Sequence, residues 1–158
     1  MQEYIFKLNE DGTVSVTGYR GDEASPVIPA EHCGRAVTVL YDGLFAGHDE
    51  ICSVTIPDTV TDMGEFLFRG CTGLRRLTLP AGVRFLWGHT FAYSALEEIT
   101  LPEGLASIPA YAFKNCKGLK RVVCGSGLKN IRAHAFAGCG ELSLECAGDV
   151  IISPEAYI

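Results

Sequence analysis

The chain has 158 residues, of which 47% are apolar and 20% charged, with a net charge of −6. That length fits one domain able to bury a sizeable core without metals or disulfides. The negative balance repels phosphate backbones and anionic surfaces, so neither nucleic acid nor membrane is expected as a partner, and no apolar run reaches the roughly 20 residues needed to span a bilayer.

Residues 1–27 read as an N-terminal cap. Met1-Gln2-Glu3-Tyr4 lacks the basic and apolar parts of a secretory signal, so either the chain stays in the cytoplasm or such a signal has been removed. Tyr4–Leu8 and Val14–Gly18 alternate apolar and polar residues around Asn9-Glu10-Asp11-Gly12, the pattern of a β-hairpin. Such a hairpin would cover the open end of whatever stack follows.

Residues 28–147 repeat. Phenylalanine recurs at Phe45, Phe68, Phe91, Phe113 and Phe136, in steps of 23, 23, 22 and 23. In register with it run Leu40, Met63, Leu86, Ile108 and Ile131, and also Ile51, Leu74, Leu96, Leu119 and Leu142. A fourth column, Ile56-Pro57, Leu79-Pro80 and Leu101-Pro102, weakens to Cys124-Gly125 and Cys146-Ala147. Each unit has one apolar stripe and no core of its own, so five units must stack into a solenoid.

Within a unit, Leu77 and Leu79 alternate inward while Arg76 and Thr78 point out, as in a short strand that the following proline ends. A second short extended piece and a compact Phe-containing turn follow, with room for one helical turn at Ala112-Phe113 or Ala135-Phe136. The first unit is longer, with its excess near Glu31–Arg35. Residues 148–158 read as a C-terminal cap, which completes a single domain over 1–158.

The seven cysteines form no CxxC pair, so a zinc site is not expected, and the odd count argues against a disulfide framework. Buried free thiols packing as small hydrophobes in a reducing compartment are expected instead, with Cys124 and Cys146 in core columns. No metal or other cofactor is implied.

Leu119 to Cys139, with Leu105-x-x-Ile108 and Ala112-Phe113-Lys114-Asn115-Cys116, resembles the BspA-like leucine-rich repeat family, whose units read roughly LxxLxLPxxLxxIgxxAFxgC. Tyr19-x-Gly21 before Val27-Ile28-Pro29 also resembles its lead-in, and the resemblance spans about residues 4–147. It implies a right-handed leucine-rich-repeat solenoid and a non-enzymatic protein-binding role. Many members are bacterial surface or secreted proteins implicated in adhesion to host proteins, which sets an extracellular location beside the cytoplasmic expectation. The family brings no catalytic residues to carry over.

Four constellations remain as candidates. His48, Cys71, Ser94, Cys116 and Cys139 share one column; either small side chains satisfy a turn, or Cys116 and Cys139 hold a metal or a disulfide. Arg75, Glu97 and Lys120 form a charge column, and Arg76, Glu98 and Arg121 the next, with sign alternating between turns. They fix the stacking through cross-strand pairs or offer a polar concave face to a partner. On the third turn, Phe85, Trp87 and Tyr93 stand where other units carry small or polar residues, save that Val39 and Tyr41 share the first two columns on the first turn. His89 is less telling, because its column also holds Phe66, Tyr111 and His134. The rings anchor an interface with another protein or a second copy of the chain, or they fill a gap left by a residue missing after Ser94. The weakest candidate is an enzyme built around His32-Cys33 in the irregular insert.

Overall fold

A computed structural model describes residues 1–158. β1 (Glu3–Leu8) and β2 (Val14–Arg20) form the antiparallel hairpin, and β3 (Glu31–His32) folds back on β4 (Arg35–Leu40). The insert is thus a tight two-residue hairpin. Cys33 and Gly34 both adopt positive φ, 51° and 71°, as a primed turn requires.

Thereafter β5 (Asp62–Met63), β6 (Arg76–Thr78), β7 (Phe85–Leu86), β8 (Glu98–Thr100), β9 (Ser107–Ile108), β10 (Arg121–Val123), β11 (Asn130–Ile131), β12 (Ser143–Glu145) and β13 (Ile151–Ile152) alternate between two parallel ladders. One runs β6-β8-β10-β12. The other begins with the cap, β1-β2-β4-β5-β7, and resumes as β9-β11-β13. The chain is therefore a solenoid whose second extended piece builds a ladder of its own.

The gap between β7 and β9 has a chemical cause. Gly64, Trp87, Arg132 and Ser153 each donate a backbone N–H to the preceding turn, at 2.8 to 3.1 Å. The residue in that place on the fourth turn is Pro109, which has no N–H to give. The rung to the Leu86 carbonyl is missing, and the ladder parts there.

The interior is one cluster of 35 buried residues. Its spine is a stack of rings: Tyr19 meets Phe45 at 5.0 Å, and Phe45, Phe68, Phe91, Phe113 and Phe136 follow at 5.2 to 5.8 Å. All five phenylalanines are fully buried. Each ring pair adds roughly 0.5–1.5 kcal/mol beyond its area burial.

The expected helical turns at Ala112-Phe113 and Ala135-Phe136 do not form. The phenylalanine N–H groups reach the next turn instead, from Phe45 to the Leu67 carbonyl through Phe136 to that of Ala156, at 2.7 to 3.0 Å. Tyr111 and His134, both with φ of 60°, also leave the right-handed region that a helix needs.

The C-terminal segment is more than a cap. β13 pairs in parallel with β11, Ala156 is buried, and the Tyr157 ring stacks on Phe136 at 5.4 Å. The stack thus continues past the five units counted from the sequence into a further, partial turn.

The cysteines divide differently from expectation. Cys124 and Cys146 lie at the ends of β10 and β12, with Cα atoms 4.8 Å apart, and form a disulfide. They face one another because their columns put them at the same place on adjacent turns. Cys33 and Cys52 are exposed, so only Cys71, Cys116 and the half-buried Cys139 act as packed free thiols.

Candidate functional site: an aromatic face on the third turn

β7 places Phe85 in register with Asp62, and Asp62 with Val39 of β4. Side chains two apart on a strand share a side, so Phe85 and Trp87 project together. They are 58% and 56% exposed, against complete burial of the phenylalanine spine. These rings do not fill an internal gap; they stand in solvent.

Trp87 closes one side of a surface hollow of about 300 Å³ that Val39, Leu40, Tyr41, Asp42, Asp62, Gly64 and Glu65 complete. Gly64 lies between Tyr41 and Trp87 in their column. A Cβ there would come within 2.5 Å of the Asp42 nitrogen and 2.6 Å of the Tyr41 carbonyl carbon. Only glycine fits, and its missing side chain opens the space between the two rings.

Tyr93 belongs elsewhere. It lies on the Phe-containing turn with Ala46, Gly47, Arg69 and Gly70, and Arg69 sits 5.4 Å from its ring centre. Its column explains the residue types seen there: Gly47, Gly70, Tyr93, Asn115 and Gly138 all have positive φ, from 55° to 78°. Tyrosine is strained in a place that suits glycine. The neighbouring column, Phe66, His89, Tyr111 and His134, is left-handed as well, with φ of 57° to 60°, and its rings stack at 4.7 to 4.9 Å. The aromatics there form an outer ladder. His89 is sandwiched within it, its Nδ1 without a hydrogen bond and 3.8 Å from Glu65 Oε1.

The charge column is ordered around one arginine. Arg76, Glu98 and Arg121 pair in register on β6, β8 and β10. Arg121 donates to Glu98 at 2.5 Å and through two nitrogens to Glu145 at 2.8 Å each. The two carboxylates raise the affinity of Arg121 for its proton, and its bonds hold Glu145 below the usual carboxylate range. Arg76 makes no ion pair, and Glu97 is met by Arg75 alone, at 2.8 Å. The sign alternation along these columns therefore does not set each carboxylate between two cations: it is Arg121 that has a carboxylate on both sides, the second being Glu145 on β12.

In the cysteine column, Cys71, Cys116 and Cys139 donate to the Phe45, Phe91 and Phe113 carbonyls at 3.0 to 3.1 Å. Burial pushes the Cys71 and Cys139 thiols up to about 12 and raises that of Cys116. These thiols satisfy turns. In the insert, His32 stacks flat on Phe6 at 3.8 Å, while Cys33 stands exposed at the hairpin tip.

Stacked short parallel strands on a repeat of about 23 residues define a leucine-rich-repeat solenoid. The model of the BspA type leucine rich repeat region matches residues 38–151 in six copies. The chain belongs to that family, whose members are in general protein-interaction or surface proteins. It is similar to a leucine-rich repeat protein of T. pallidum, with 25% identity and a TM-score of 0.73 over 94% of this chain and 82% of that one. A leucine rich cell surface protein of Faecalibacterium prausnitzii shares 29% identity, with a TM-score of 0.66 over 87% of this chain. This chain spans only 45% of that protein. The pneumococcal vaccine antigen PcpA shares the fold at 15% identity, with a TM-score of 0.56 over 91% of this chain and 48% of that one. No curated protein matches.

Proposed function

We propose that the chain is a non-enzymatic protein-binding module that docks its partner on the face formed by Phe85, Trp87 and Tyr41. One observation carries this reading: two large rings of one turn are each more than half exposed where the repeat requires no ring. Clustered aromatics supply contact area at low entropic cost and are enriched among residues that dominate binding energy. Tyr93 lies apart and adds, at most, a second contact through Arg69. Arg121 and Glu98 fix the stacking of strands, which leaves Arg76 as the one member of its column free to meet a partner.

A random peptide display library, selected on the intact chain and on a Phe85→Ala, Trp87→Ala double variant, tests the proposal. Binders selected on the native chain should lose the double variant, whose core is untouched. Identical binders on both proteins would refute it. A surface adhesion module that binds host proteins is the second reading, favoured by the likeness to the F. prausnitzii cell surface protein.

A further inference from the structure

The hollow beside Trp87 has a chemical character that the exposed rings alone do not give it. Its polar lining is acidic: Asp42, Asp62 and Glu65 line it, and no arginine or lysine does. Asp42 spends one oxygen on the Glu65 backbone N–H at 2.8 Å. Asp62 makes no hydrogen bond or ion pair, and the Glu65 carboxylate has only the distant His89 nitrogen, at 3.8 Å. Carboxylate oxygens therefore face the space with bonding capacity to spare.

The rings add a second preference. Tyr41 and Trp87 stand two rungs apart, about 9–10 Å at the usual strand spacing, with Gly64 between them. Elsewhere the chain pairs its outer rings with its own cations. Lys7 lies 5.8 Å from the Tyr41 ring centre, Arg69 lies 5.8 Å from Phe66 and 5.4 Å from Tyr93, and Lys114 lies 5.4 Å from Tyr111. Trp87 has no such partner, although the indole face is the strongest attractor of cations among the aromatic side chains. A half-exposed tryptophan without a cation, beside carboxylates without a cation, is complementary to a positive group brought by another molecule.

Resting on the docking face proposed above, we infer that its partner presents an extended basic segment and seats an arginine or lysine side chain in the hollow between Tyr41 and Trp87. The cationic head lies over the indole and meets Asp62 and Glu65. Its alkyl stem covers Val39, and an adjoining apolar side chain of the segment packs on Phe85. The net charge of −6 steers such a segment toward the chain.

The same peptide selection reads this out, extended by an Asp62→Asn, Glu65→Gln double variant. Neither side chain holds a hydrogen bond in the fold, so this variant folds as the native chain does. The expected result is arginine and lysine enrichment in the binders, at least tenfold weaker binding to the carboxamide variant, and weakening as salt rises. Replacing the key arginine by citrulline, which keeps the shape and removes the charge, should cost a similar factor. Binders that need Phe85 and Trp87 but carry no basic residue, or that ignore the carboxamide changes, would overturn the inference and leave the docking face standing. Binders indifferent to Phe85 and Trp87 would overturn both.

Discussion

Truncating Phe113 to alanine tests the stacked-ring core most sharply. The side chain is fully buried and is held between Phe91 at 5.2 Å and Phe136 at 5.4 Å, so both faces lose a partner at once. A core Phe→Ala change costs about 3–5 kcal/mol, and two lost ring pairs place this site toward the upper end. Against a total stability of roughly 5–15 kcal/mol, that is a third or more. For a chain of this size it lowers Tm by about 6–20 °C. Urea unfolding followed by far-ultraviolet circular dichroism measures it. A loss under about 1.5 kcal/mol with an unchanged urea dependence would refute the stacked-ring account. Phe85→Ala, more than half exposed, serves as the control and should stay within about 0.5 kcal/mol of the native chain.

Three further outcomes follow from the geometry. Tyr93→Val should be less stable than Tyr93→Gly by at least about 1 kcal/mol, because a β-branched side chain fits poorly at φ of 60°; equal stabilities by thermal denaturation would contradict the left-handed column. Arg121→Met should lower Tm at low salt and lose that effect near ~1 M salt, whereas Arg76→Met should change neither. Because Arg121 holds the Glu145 carboxyl low, their pairing contributes above the ordinary carboxylate pKa and is lost as pH falls through the lower folded value, so Arg121→Met should be the less acid-sensitive protein in a pH–Tm series. Thiol labelling read by mass spectrometry should mark Cys33 and Cys52 in the native chain, add Cys71, Cys116 and Cys139 on unfolding, and reach Cys124 and Cys146 only after reduction; labelling of the last two without reductant would exclude the disulfide.

The solenoid was legible because its apolar columns recur at a fixed period, and each column turned out to be a line of contacts between neighbouring turns. Phe85 and Trp87 were legible as rings out of place in the repeat. What the sequence hid depends on distance or backbone shape. Tyr93 falls in the same turn as Trp87 yet belongs to another surface, because six residues carry the chain around the stack. The left-handed column of Phe66, His89, Tyr111 and His134 was masked because phenylalanine and tyrosine rarely adopt positive φ, and only its two histidines are of a type enriched there. Glu145 is not legible as a partner of Arg121 because its own unit has drifted from the consensus. The break at Pro109 is implicit in its missing N–H, but only the ladder formed by the second extended pieces gives that absence a consequence. The Cys124–Cys146 pair was visible as a column, but packing and bonding look alike in a pattern of apolar residues.

The docking face itself is tested most directly by acrylamide quenching of Trp87 emission, alone and with the selected binders. The account predicts red, readily quenched emission from the free chain at every concentration and protection once a binder saturates it. Protection in the free, dilute chain, or quenching that persists when the binder is fully bound, would contradict it.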